Sequence, residues 1–164
     1  MTAQQGILIR EPHDSERPWI ERQLRESWGS PLIVSRGQVH DASRLPALVA
    51  AKGDDLVGLS TFRLTAAECE LVTLDSFHRA QGIGSALLAR VAEEASRRGC
   101  RRLWLITTND NLDAIRFYQR RGLRLAAVHF GAADEARRIK PTIPWVGSYG
   151  IHLHDELEFE LQLV

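Results

Sequence analysis

The feature that most constrains this chain is a change of hydrophobic period at Gly82. Before it, Pro46–Lys52, the turn Gly53-Asp54-Asp55 and Leu56–Leu64 read as a hairpin, and Thr65–Glu68 turns the chain into a further strand, Glu68–Leu74. After it, Ile83, Leu87, Leu88, Val91, Ala92 and Ala95 fall on one face of a helix that Gly99 stops. An antiparallel meander that runs straight into a glycine-opened helix excludes all-helical and all-β architectures.

The flanking segments extend the pattern. Gly6–Arg10 reads as a first strand, and Ser15 caps an amphipathic helix carrying Trp19, Ile20, Gln23 and Leu24 that ends near Gly29. Arg102–Thr107 is a short buried strand, and Asn109-Asp110-Asn111 supplies caps for a helix with Ala114, Ile115, Phe117 and Tyr118 that Gly122 terminates. Leu125–Phe130 reads as a strand, followed by an irregular stretch. Leu157, Phe159, Leu161 and Leu163 alternate with Glu158, Glu160 and Gln162, which predicts a last strand with one buried face. The expected fold class is α/β (α+β): a mixed sheet, antiparallel early and helix-crossed late, forming a single domain over residues 1–164.

Composition narrows the function classes. Charged residues make up 26% of the chain and hydrophobic residues 44%, which is ordinary globular usage. The 21 Lys and Arg balance 21 Asp and Glu, so no basic footprint invites nucleic acid. Cys69 and Cys100 show no metal-ligand spacing, and no apolar run suits a signal peptide or a membrane span. The reading is a cytoplasmic protein with no metal, no nucleic acid and no membrane partner.

Gly82 and Gly84 admit a tight turn as well as a phosphate site. Glycine lets the backbone approach an anion closely, and the first-turn N–H groups of the helix are free to bind it. A P-loop would place lysine after Gly84, where Ser85-Ala86 stands. A dinucleotide fingerprint would place glycine or alanine at Leu87 and an acid near Thr107 and Thr108. Neither rival fits.

Arg79-x-x-Gly82-x-Gly84 before an amphipathic helix, followed by Asn111-x-x-Ala114-x-x-Phe117-Tyr118-x-x-x-Gly122-Leu123, resembles the acetyl-CoA site of the GNAT superfamily of N-acetyltransferases. The resemblance spans roughly Leu56 to Leu163. It implies a sheet with splayed central strands flanked by helices, and acetyl-CoA as cosubstrate. It also implies that Val72, Thr73 and Leu74 offer backbone groups to the pantetheine arm. Arg79, Ala80, Gln81, Gly82, Ile83, Gly84 and Ser85 would wrap the pyrophosphate, with Ala80 standing where the family often has glycine. Asn111 and Ala114 would meet the cofactor arm, although Asn111 is equally suited to capping a helix.

Tyr118 matches the family position that protonates the departing thiolate; a core aromatic beside Phe117 is the alternative. The acceptor ammonium, with a pKa of about 10.4, must lose a proton first. The resemblance places the base near the strand feeding the site, where Glu70 is the first candidate and Glu68 the second, the two sharing one face; an exposed strand face carrying carboxylates is the alternative for either. Asp155 has the parity of Leu157 and Phe159 and would point inward if it is part of the strand; if it ends the preceding loop, parity says nothing. Trp145 and Tyr149, on the loop Lys140–Gly150, are candidate walls of the acceptor pocket or packing residues. Arg97, Arg98, Arg101, Arg102, Arg120, Arg121 and Arg124 follow helices, as cations do at helix C-termini. The expected activity is transfer of acetyl to a primary amine of a small molecule by direct attack. An acyl-CoA-sensing module without turnover and an acetyltransferase of protein amino groups are the alternatives, and a homodimer is left open by the resemblance.

Overall fold

The computed structural model describes residues 6–78 and 82–164. Nine strands and four α-helices alternate along them: β1 (Leu8–Arg10), α1 (Arg17–Trp28), β2 (Leu32–Ser35), β3 (Gln38–Asp41), β4 (Ala47–Lys52), β5 (Asp55–Leu64), β6 (Glu68–Ser76), α2 (Ile83–Arg97), β7 (Arg102–Thr108), α3 (Leu112–Arg120), β8 (Arg124–His129), α4 (Ala132–Ile139) and β9 (Glu156–Gln162). Seven strands form one sheet in the order β1-β4-β5-β6-β7-β9-β8, and β2 and β3 form a separate hairpin. Every pairing is antiparallel except β6 with β7.

Each face of the sheet has its own apolar cluster. Ile83, Leu87, Leu88, Val91 and Ala95 of α2 pack on Leu48, Val57, Leu71, Leu103 and Phe159. Ile20 and Leu24 of α1 pack on Val49, Leu59 and Val72 across the opposite face, with Ile33 of the hairpin beside them. These faces follow from strand alternation: on β6, Cys69 and Leu71 turn towards α2, while Glu70 and Val72 turn towards α1.

Three expectations change. Ser15 does not cap the first helix: Asp14–Glu16 forms a 3-10 turn and Glu16 takes the cap position. The carboxylate of Glu16 is held by Arg10 at 2.7 and 2.9 Å and by the His13 N–H at 3.0 Å, which leaves the serine no role at that end. The stretch after Phe130 contains α4, whose buried side chains are Ala133, Ala136 and Arg137. The last strand buries both faces, with Glu156 and Glu158 only 3% and 6% exposed, because β9 lies between β7 and β8 and the Arg36 turn reaches its acidic row.

Candidate active site

β6 and β7 pair only at Glu68–Arg102, Cys69–Leu103 and Glu70–Trp104. Beyond Glu70 the two strands part, although β6 continues to Ser76 and β7 to Thr108. The other edge of β6 stays bonded to β5 as far as Ser76. The result is a gap lined by Leu71, Val72, Thr73, Leu74 and Asp75 on one strand and Leu105, Ile106 and Thr107 on the other, a cavity of about 330 Å³. Asn111, Ala114 and Tyr118 of the α3 segment face into the same gap. Asn111 also caps α3, its side-chain oxygen accepting the Ala114 N–H at 3.2 Å.

At its outer end the gap adjoins a larger cavity of about 660 Å³, lined by Gly82, Ile83, Gly84 and Ser85 at the start of α2 and by Arg116, Arg120 and Arg121 of α3 and its C-terminal end. Gly82 has φ +70°, the left-handed conformation that lets the chain turn into α2 with its first N–H groups facing outward. A Cβ on Gly84 would lie 3.2 Å from the Phe117 ring, so the backbone there is held close to α3. Arg121 lies over that ring at 3.6 Å and donates to the Ser85 hydroxyl at 2.7 Å, which places a cation beside the helix start. An unpaired strand edge leading to a helix N-terminus and three arginines suits a ligand with an amide-bearing arm and phosphates. Arg79, Ala80 and Gln81, read from the sequence as part of that cradle, lie outside the described residues.

At its inner end the gap shares Trp28, Leu71, Val72, Ile106, Thr107 and Asn111 with a chamber of about 120 Å³ into which Glu70 and Glu156 also open. Glu70 is 3% exposed and fully engaged: it accepts from Ser35 at 2.6 Å and from Arg63 at 2.8 Å, with His40 at 3.9 Å. Burial, reinforced by the charge of Arg63, pushes the His40 imidazole below its ordinary value and so towards the neutral form. Glu156 is equally buried but differently partnered, accepting only the Arg36 backbone N–H at 3.3 Å and making no ion pair among the described residues. Burial raises its carboxyl above the ordinary range, the Arg36 N–H and the charges of His129 and Arg36 opposing and that of Glu70 adding. Glu158, next on the same face, is held low despite its burial by Arg102 and His129.

The other candidates from sequence fall elsewhere. Glu68 stands at the start of β6, its half-exposed carboxylate 3.6 Å from Arg102, away from the chamber. Asp155 precedes β9 and ties the loop to α4, accepting the Gly131 N–H at 2.8 Å and facing His154 at 2.6 Å. Trp145 is 63% exposed and stacks against Arg137 at 4.0 Å. Tyr149 borders the arginine-lined cavity and donates to Asp113 at 2.7 Å. Glu156 is the residue that sequence reasoning missed, because its alternation with Leu157 and Phe159 places it among outward acids. The described residues contain no metal-binding cluster, and none of their helices is long and apolar enough to cross a membrane.

Residues 10–123 match the model of the acetyltransferase (GNAT) family, and the chain belongs to that family. It is 41% identical over 133 residues to the uncharacterized Bacillus subtilis protein YdhI, a match covering 80% of this chain and 83% of that one. Among solved structures it resembles the IAA acetyltransferase of Bacillus cereus, with a TM-score of 0.75 and 20% identity over 96% of this chain and all of that one. It also resembles a GNAT family acetyltransferase of Elizabethkingia anophelis solved with acetyl-CoA bound, with a TM-score of 0.67 and 16% identity over 97% and 99% of the two chains. At these identities the likeness to solved structures is one of fold.

Proposed function

We propose that the protein is an N-acetyltransferase that moves the acetyl group of acetyl-CoA to the primary amine of a small molecule by direct attack. The observation that carries this reading is the β6–β7 gap, which shares walls with a chamber holding two buried carboxylates at one end and at the other lies one residue along β6 and α3 from the cavity at the glycine-opened, arginine-flanked start of α2.

Family membership supports acetyl transfer, and the fit of the gap to a pantetheine arm supports acetyl-CoA. When bound there, acetyl-CoA supplies an acyl group activated as a thioester. The backbone of Val72, Thr73 and Leu74 hydrogen-bonds the arm along the free edge of β6. The first-turn N–H groups of α2, with Arg116, Arg120 and Arg121, hold the phosphates. Ala114, being small, leaves the arm room to pass, and Asn111 borders it. Tyr118 delivers a proton to the leaving sulfur: burial and the charge of Asp75 push its phenol above the ordinary value, so it holds its proton at neutral pH until the thiolate forms beside it. A carboxylate of the inner chamber, Glu70 or Glu156, takes the ammonium proton. A direct transfer needs no enzyme nucleophile, and burial pushes both cysteine thiols up, Cys69 to about 12, so neither forms a ready thiolate.

The test is titration of the purified protein with acetyl-CoA by calorimetry, followed by thiol release on addition of a panel of amines. Saturable binding and amine-dependent release are expected. Binding without release from any amine or amine-terminated peptide would identify a sensing module instead, release with peptides alone would identify a protein acetyltransferase, and absence of binding would remove the cofactor assignment.

A further inference from the structure

The inner chamber does not end at the two carboxylates. It shares Trp28, Ile33, Val34, Thr108 and Glu156 with an outer cavity of about 290 Å³ that lies between the β2–β3 hairpin and α4. The walls of that cavity are mostly apolar: Ile33, Val34, Ala133, Ala136, Ile143 and Leu153. Its cation, Lys140, donates to the main-chain oxygens of Trp28 and Leu32, both at 3.0 Å, which closes the end of α1 and the start of β2 against α4.

We propose that this cavity is the acceptor subsite, that it takes a compact monoamine with an apolar body, and that Glu156 receives the ammonium and removes its proton. The proposal rests on the acetyltransferase reading and deepens it. Glu70 is the poorer partner for a new cation because Arg63 and Ser35 already occupy its two oxygens. Glu156 faces both the chamber and the outer cavity, it is 97% buried, and its protein partner is one backbone N–H. A buried carboxylate with no ion pair is costly, and an ammonium supplied by substrate offsets that cost. Lys140 at the rim disfavours a second positive group on the same molecule, so polyamines and aminoglycosides fit poorly. The cavity lies at the small end of ligand sites and suits a compact body rather than a peptide.

In the transfer, a proton passes from the acceptor ammonium to the Glu156 carboxylate, and the freed nitrogen lone pair forms the N–C bond to the thioester carbonyl carbon. The C–S bond breaks with its electron pair going to sulfur, which takes a proton from Tyr118; the attacking nitrogen gives up its second proton as the intermediate collapses, which restores the Tyr118 phenol, and the proton on Glu156 passes to solvent. The products are a neutral amide and free CoA.

2-Phenylethylamine, ethylamine and spermidine serve as probes in two assays: calorimetric binding to the protein saturated with CoA, and thiol release with acetyl-CoA. The expected result is preference for 2-phenylethylamine in both. Glu156→Gln should lower kcat/KM for it by on the order of 100-fold with unchanged affinity for acetyl-CoA, the typical reach of one acid–base group. Thr142→Trp, on an exposed residue lining the cavity, should raise KM for 2-phenylethylamine roughly tenfold, the equivalent of withdrawing about two methylenes from burial, and leave ethylamine unaffected. Turnover of spermidine without 2-phenylethylamine, or wild-type kinetics in both variants, would overturn the subsite and leave the acetyltransferase reading standing. Binding of 2-phenylethylamine that Thr142→Trp weakens, with no thiol release from any amine, would overturn that reading and the role of Glu156 as base while keeping the cavity assignment. Neither binding nor release would overturn both.

Discussion

The indole N–H of Trp28 donates to the carboxylate of Asp75 over 2.9 Å, tying the last residue of α1 to the strand that walls the β6–β7 gap. Trp28 also lines the chamber and the outer cavity, so this one bond fixes a side chain shared by all three spaces. Burial lifts Asp75 to about 6, with the Trp28 bond pulling the other way.

The sign of the pH effect follows from that lift. A carboxyl whose folded value lies above its unfolded value of about 3.9 contributes stability that is full below the unfolded value and is lost as pH rises through about 6. We expect tryptophan fluorescence to titrate with a midpoint near 6 and the titration to vanish in Asp75→Asn. The stability difference between the two proteins should change between pH 7 and pH 5 and level off below the unfolded value. A flat fluorescence profile across this range in the wild type would rule out Asp75 as the titrating partner of Trp28.

The close approach of α2 and α3 leads to a second expectation. A methyl on Gly84 would press on Phe117 Cζ at 3.2 Å and Cε2 at 3.4 Å, moving the ring under Arg121. Gly84→Ala should therefore weaken acetyl-CoA binding more than it weakens the fold. Arg121→Ala, which removes the cation and its bond to Ser85, should weaken binding about fivefold at low salt, the scale of one exposed charge contact of about 1 kcal/mol, and less at high salt. Calorimetry at two salt concentrations separates the charge from the packing contribution.

The sequence made the half of the candidate site around α2 and α3 legible and hid much of the half around Glu156, for physical reasons. Gly82, Gly84, Asn111 and Tyr118 are local features, because a helix start and its caps are decided by residues a few positions apart. The parting of β6 from β7, which the family resemblance implies around Val72, Thr73 and Leu74, begins directly after Glu70. Helix α4 left no apolar stripe to read: its buried side chains are two alanines and Arg137, whose guanidinium donates to Ile143, Pro144 and Leu153 carbonyls across the turn of the following loop. Glu156 was hidden for a different reason. Alternating acids and leucines describe a strand with one wet face, and only the packing of the Arg36 turn over β9 makes that face an interior one. Long-range coverage of this kind has no local signature.

Gly58 offers a test of the fold apart from the chemistry. It lies in β5 beneath α2, and a Cβ there would meet Ile83 Cγ2 at 2.5 Å, Leu87 Cδ1 at 3.0 Å and the Ala50 Cβ at 3.2 Å. All three neighbours are buried, so the helix must lift to admit a methyl. Gly58→Ala should cost about 1–3 kcal/mol in denaturant unfolding, the usual range for overpacking a dense core. Because Ile83 opens α2, acetyl-CoA affinity should fall with it; full wild-type stability would mean that α2 sits less tightly on the sheet than these contacts require.

Tyr118 carries the sharpest expectation about the reaction. Its hydroxyl is pushed above the ordinary phenol value, first by burial and then by the negative charge of Asp75. A phenol held in this way keeps its proton throughout the neutral range, so ionisation of Tyr118 should produce no alkaline fall in rate up to pH about 10. Tyr118→Phe preserves the ring packed edge-on to Phe117 at 5.2 Å and removes only the hydroxyl. Acetyl-CoA affinity should then stay within about twofold while kcat drops by on the order of 100-fold, the contribution typical of one general acid. A thiol ester with a better leaving group needs less protonation at sulfur, so an acetyl donor built on an acidic aromatic thiol should recover much of the lost rate in the variant. Equal losses with both donors would show that Tyr118 serves packing and not proton delivery.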